Sequence, residues 1–239
     1  MDDQGLPVGL LDDVTLERSA VVANCAMNRE RQLAGVNSYT RELGFNPVDV
    51  LAARLAEAGV QGVAWLDLCC GSGRALTQAA GQLRDAGLGG QVTLVGVDLV
   101  DAFAAAPQPT AGLSLICTSI TTWTPNRAFD LITCVHGLHY VGDKLAVLTR
   151  AAGWLADTGQ LVADLDLAGI RLPDGRPAGR RLSTRLRAAG FTYDSRRHRI
   201  NRTGTCHVRL PYTYLGADDR AGANYTGQPA VHSYYAETG

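Results

Sequence analysis

The chain has 239 residues, 46% of them hydrophobic and 19% charged, which excludes disordered, collagen-like and coiled-coil chains and leaves one α/β domain with a full core as the expectation. Lys+Arg 22 against Asp+Glu 23 gives a formal net charge of −1, so no global field draws the chain onto nucleic acid or an anionic membrane. No run approaches the roughly 18 consecutive apolar residues of a membrane span, and the acidic opening MDDQGLPVG lacks a signal peptide's basic and apolar stretches, which points to a cytoplasmic protein with reduced thiols.

Residues 28–45, NRERQLAGVNSYTRELGF, combine helical spacing with Asn28, Arg29, Arg31, Asn37 and Tyr39, and a helical cap is expected over residues 1–45. An exposed amphipathic helix would carry the same charges. Asn46-Pro47 starts a helix, with Asn capping and Pro at its first position, and Val50, Leu51, Leu55 and Ala58 then recur at helical spacing. Val63 to Cys69 reads as a buried strand that enters the loop Cys70-Gly71-Ser72-Gly73 and then helical RALTQAAGQL. Further strands are expected at Val92 to Asp98, Leu113 to Thr118, Phe129 to Val135 and Gln160 to Asp166, an alternation that argues for parallel βαβ units. Asp143 caps one intervening helix, and Asp157-Thr158-Gly159 supplies a turn. A helix, RRLSTRLRAAG, follows Pro177; Phe191 to Ile200 and Cys206 to Leu215 then predict an antiparallel hairpin turning at Asn201 to Thr205. The core is therefore expected over 46–215. The tail, 216–239, has few aliphatic anchors; it either folds back over the site, offering Tyr225, Gln228, His232 or Tyr234, or ends loosely.

A glycine turn after the first strand lets backbone approach a ligand at the carboxyl edge of the sheet. A dinucleotide fingerprint needs a third glycine three positions after the second, and Leu76 stands there. Asp67, just ahead of the loop, would repel a pyrophosphate and attract a cationic group. Asp98, at the tip of the neighbouring strand, can accept both hydroxyls of a ribose, while Ser119-Ile120 suits the edge and face of a purine. An ammonium, a ribose and a purine together describe S-adenosylmethionine (SAM).

The successive segments WLDLCCGSGRAL, VTLVGVDL, ICTSITTW and FDLITCVHGLHYVGD resemble the motifs of class I SAM-dependent methyltransferases. The resemblance implies a Rossmann-like three-layer sandwich whose seven-stranded, mostly parallel sheet has the order 3-2-1-4-5-7-6, with an N-terminal helical lid. It also implies that Asp67 and the backbone of Cys69, Gly71, Ser72 and Gly73 meet the methionine part of SAM, Asp98 the ribose, and Leu99, Ser119 and Ile120 the adenine, with Val135 beside them. Cys69 replaces the usual first glycine, and Ser119 replaces a more common acid. A tyrosine from the lid contacts the cofactor carboxylate in small-molecule members, which makes Tyr39 a candidate.

Methyl transfer from a sulfonium requires alignment and, for a protonated nucleophile, a base; no metal is obligatory. His139, and after it His136, are the candidate bases, against purely positional catalysis. Asn28, Arg29, Asn37, Tyr140 and Tyr225 are candidate contacts for a small-molecule acceptor, and a place in specialised metabolism is the expectation. Residues 171–209 hold eleven arginines and only Asp174 and Asp194 as acids, so an RNA or protein methyltransferase is a rival reading, although no aromatics interleave to stack bases. A SAM-binding module without catalysis is the other rival. A nicotinamide dehydrogenase is disfavoured by Leu76.

Overall fold

The computed structural model describes residues 9–23, 30–104 and 112–238. Two short helices, α1 (Asp13–Glu17) and α2 (Ala20–Ala23), precede α3 (Tyr39–Leu43) and α4 (Pro47–Leu55). The core then runs β1 (Val63–Leu68), α5 (Arg74–Asp85), β2 (Val92–Asp98), β3 (Leu113–Cys117), β4 (Phe129–Cys134), α6 (Lys144–Gly153) and β5 (Leu155–Asp164). After it come β6 (Ile170–Arg171), α7 (Gly179–Ala188), β7 (Thr192–Asp194), β8 (Arg199–Thr203), β9 (Tyr212–Asp218) and β10 (His232–Glu237).

The main sheet has seven strands in the order β3-β2-β1-β4-β5-β8-β7, with β8 antiparallel to both neighbours. Alternation along β1 creates the layers. Val63 and Trp65 pack with Leu51 of α4 and Leu76, Ala79 and Leu83 of α5; Ala64, Leu66 and Leu68 pack with Leu145 and Leu148 of α6 and Leu182 and Leu186 of α7. Asn46 and Asp143 cap α4 and α6 as expected, accepting from Val48 N at 3.1 Å and Ala146 N at 3.0 Å.

Three expectations are corrected. Among the described residues 30–45, the helical spacing yields helix only at α3, because Gly35 takes φ 113° and Ser38 caps the helix, its Oγ accepting from Arg41 N. Asp157-Thr158-Gly159 is no turn between elements but lies within β5, where pairing with β4 jumps from Phe129↔Leu155 to Leu131↔Gln160. Gly159 is required there, since a Cβ would stand 2.4 Å from the Phe129 carbonyl oxygen. Finally, the hairpin turns between Asp194 and Arg199. The Asp194 carboxylate accepts from Arg196 N and Arg197 N, a local turn that outcompetes the Asn201 signal and places Asn201 inside β8. Cys206 to Leu215 consequently lies outside the main sheet. Its second half opens β9, which pairs with β10, itself beside β6, in a separate three-stranded sheet, so the tail expected from residue 216 is anchored by β10. Among the described residues, no helix is long and apolar enough to cross a membrane.

Candidate active site

The glycine loop leaves β1 through Cys69, Gly71 and Gly73, with φ of 57°, 60° and 72°. Asp98, at the end of β2, fixes it: Oδ2 accepts the Gly71 N–H at 2.8 Å and Oδ1 accepts the Val100 N–H at 3.1 Å. Leu76, in place of a third glycine, is fully buried over Gly96 of β2, where a Cβ would come within 2.6 Å of it. Gly73 caps α5, and Ser72 is buried with its carbonyl accepting from Ala104 N.

Beside this loop lies an apolar cleft of about 730 Å³, counted to its mouth. Cys69, Gly71, Asp98, Leu99, Ser119, Ile120 and Val135 line it, as do Tyr140 and, from the N-terminal helices, Leu16, Glu17 and Val22. Among the described residues, its charged lining is Asp13, Glu17 and Asp98, with no arginine or lysine. Such a surface is hostile to a pyrophosphate and suits a cationic ligand with an apolar base. The residues fit SAM: Asp98 places a carboxylate at the tip of β2 where a ribose would lie, Leu99 and Ile120 offer apolar faces for adenine, and the loop can take the methionine end.

Asp67 and Tyr39 are placed otherwise than expected. Both are buried, and neither borders the cleft; Tyr39 Oη donates to Asp67 Oδ2 at 2.6 Å, and Thr133 Oγ1 donates to Oδ1 at 2.6 Å. Burial raises the Asp67 carboxyl to about 7 in spite of these donors. The pair fixes α3 to the end of β1.

Val135 and Gly137 line the apolar cleft, and His136 between them lines a second, polar cavity of about 730 Å³ with Arg31, Asn37, Glu42, Tyr225 and Gln228. His136 Nε2 lies 3.2 Å from Glu42 Oε2, and His136 Nδ1 lies 3.4 Å from His139 Nε2. The backbone N–H of His136 donates to Asp164 Oδ2 at 3.2 Å. Hydrogen bonding to His136, aided by Arg31, holds the Glu42 carboxyl at about 2. Burial, with His136 and Lys144 nearby, lowers His139 to about 3, so its imidazole is neutral at pH 7. The ring of Tyr225 stacks on His198 at 3.9 Å and meets His139 edge-on at 5.4 Å. The tail thus covers the histidine pair. Tyr140, expected as an acceptor contact, faces the cleft instead. Asn28 and Arg29 lie outside the described residues.

Sequence reasoning missed Glu17, Glu42, Asp164 and Lys144. Asp164 carried the same signal as Asp67 and Asp98, an acid ending an apolar strand; the others become functional neighbours only through tertiary packing. One ligand atom each of Glu42, His136 and Asp164 lies within 4.8 Å of the others, a spacing that could hold a metal ion. Arg31 at 2.8 Å from Glu42 and Arg199 at 3.6 Å from Asp164 already offset both carboxylates, which favours a hydrogen-bonded relay. In the arginine-rich stretch, Arg176, Arg181 and Arg197 pair with Asp174, Glu237 and Asp194, and Arg199 and Arg202 donate to backbone carbonyls.

No curated protein matches the chain. Among solved structures, the chain is similar to the plantazolicin methyltransferase BpumL in complex with S-adenosylhomocysteine (SAH), at 18% identity over 65% of this chain and 57% of that one, TM-score 0.45. It is also similar to SAM-bound CalS10, an amino pentose methyltransferase from Micromonospora echinaspora, at 23% identity over 52% of each chain, TM-score 0.37. A third is the sugar N-methyltransferase KedS8 from Streptoalloteichus sp, at 22% identity over 49% of this chain and 46% of that one, TM-score 0.36. The chain spans about half the length of these structures. A family model described as "Methyltransferase domain" matches residues 39–178, more than half of the chain, from α3 through the glycine loop and the histidine segment. The chain therefore belongs to the methyltransferase-domain family.

Proposed function

We propose that this enzyme methylates an oxygen, nitrogen or carbon of a small polar molecule held over His136. The observation that carries the reading is the shared wall: an acid-lined apolar cleft and a polar cavity meet across Val135–Gly137, with His136 facing the polar side. When bound, SAM supplies an electrophilic methyl group on a sulfonium. The cover of the histidine pair by Tyr225 favours a small acceptor over a polymer.

His136 and His139 together receive the proton that the acceptor gives up. Glu42 can only accept, so the His136 nitrogen facing it carries a proton, and the other nitrogen faces His139. His136 lies beside the Glu42 and Asp164 carboxylates, while His139 stays neutral. These contacts make His136 the first candidate in this proposal and His139 the second. Asn37 and Gln228 orient the acceptor by hydrogen bonding.

The test combines calorimetry with SAH and SAH-release assays over a panel of phenols, amines and enols. His136→Ala is expected to bind SAH like the wild type while turnover falls on the order of 10²-fold or more, with a comparable fall for His139→Ala. A wild-type protein that binds a pyridine dinucleotide and not SAH would overturn the reading.

A further inference from the structure

Glu17 ends α1, ahead of the matched family segment, yet its carboxylate reaches the cleft. Ser119 Oγ donates to Glu17 Oε1, as does Thr121 Oγ1 at 3.4 Å, and the two hydroxyls lie 2.7 Å apart. Among the described residues, no donor is paired with Oε2. We infer that Glu17 reads the exocyclic amino group of the adenine, which makes α1 the wall that selects the purine.

The inference rests on the cofactor reading above. Glu17, Ser119 and Thr121 line the same cleft as Asp98, Leu99 and Ile120, so with the ribose at Asp98 and the base between Leu99 and Ile120 the Glu17 carboxylate would be the acceptor offered to the base edge. Hydroxyls alone would not discriminate there, because each can donate or accept. Here Ser119 donates to Glu17 and Thr121 bonds to Ser119, so the acceptor-only group offered to the purine edge is the carboxylate. A 6-amino group satisfies it; a 6-oxo group sets acceptor against acceptor.

The experiment is calorimetry of the full chain with SAH and with S-inosyl-L-homocysteine, in which a carbonyl replaces the amino group. The wild type is expected to prefer SAH by about tenfold or more, the worth of a hydrogen bond to a charged group. Glu17→Gln should weaken SAH by about tenfold and bring the inosyl compound level with it or ahead, since the amide can donate to the carbonyl. Ser119→Ala, which removes one donor fixing the carboxylate, should narrow the preference to a smaller extent. Melting of the ligand-free variants confirms folding. If Glu17→Gln keeps the wild-type preference, or weakens both ligands equally, Glu17 is a structural brace and the assignment falls alone. If the wild type binds neither compound, the cofactor reading falls and this inference with it.

Discussion

Lys144 is the chain's only lysine and is 2% exposed, at the start of α6. Its Nζ donates to the carbonyls of Val141 at 2.7 Å and Val231 at 2.9 Å and contacts Ser233 Oγ at 2.6 Å, tying α6 to the segment that enters β10. Burial lowers its amine from 10.5 to about 7. The neutral amine still serves the two carbonyls through its N–H groups, while the Ser233 hydroxyl donates to the Val141 carbonyl. The sign follows from linkage. Between pH 7 and 10 the unfolded chain holds this proton and the folded chain does not, so stability rises with pH. Integrating from pH 7 to 9 gives about 2 kcal/mol, or roughly 4–8 °C in Tm for a chain of this size. Asp67, raised to about 7, opposes this weakly around neutrality, and buried Tyr39 and Tyr235, with raised hydroxyls, oppose it above about pH 10. Lys144→Met removes the amine and leaves those groups in place. Melting curves of both proteins at pH 7 and 9 should show the wild type gaining about 4–8 °C relative to the variant, whatever their offset at pH 7. Parallel pH dependences would refute the neutral buried amine.

Asp98→Ala removes the acceptors of the Gly71 and Val100 N–H groups, so SAH affinity measured by calorimetry should fall by about 10²-fold or more. A variant that binds SAH normally would displace Asp98 from the cofactor site. Tyr225→Ala leaves the cleft intact and opens the histidine cavities; the acceptor KM should rise with SAH affinity unchanged. A fall in SAH affinity would instead couple the tail to the cleft.

What the sequence made legible was local and periodic. The β1–loop–α5 unit, the acid ending β2 and the alternation that builds a parallel sheet are all written within short windows, because strand burial and glycine turns depend on neighbours in sequence. The hairpin was misplaced because two turn signals competed, and the Asp194 carboxylate, accepting two backbone N–H groups, won over Asn201. Asp67 shows the deeper limit. Its position predicted a ligand contact, but Tyr39 and Thr133 occupy its oxygens, and that depends on how α3 packs across β1 and β4. Glu42 and Glu17 were invisible for the same reason: each lies on a short N-terminal helix, far in sequence from His136 and Ser119.

The departure from the family's glycine pattern at Cys69 has its counterpart across the site. Cys69 adopts φ 57° and His136 φ 59°, left-handed conformations that cost non-glycine residues about 1–3 kcal/mol each. Between these two strained residues sits Gly137, where a Cβ would stand 2.4 Å from Cys69 Cβ and 2.9 Å from Cys134 Sγ. A side chain at 69 therefore demands none at 137, and the missing first glycine is answered by a glycine after β4. Interlocking of the two loops leaves His136 little freedom to turn, with its N–H held by Asp164 and its ring by Glu42 and His139. Strain in the wall between the two cavities is thus what aims an imidazole at the polar side while Val135 and Gly137 line the cleft.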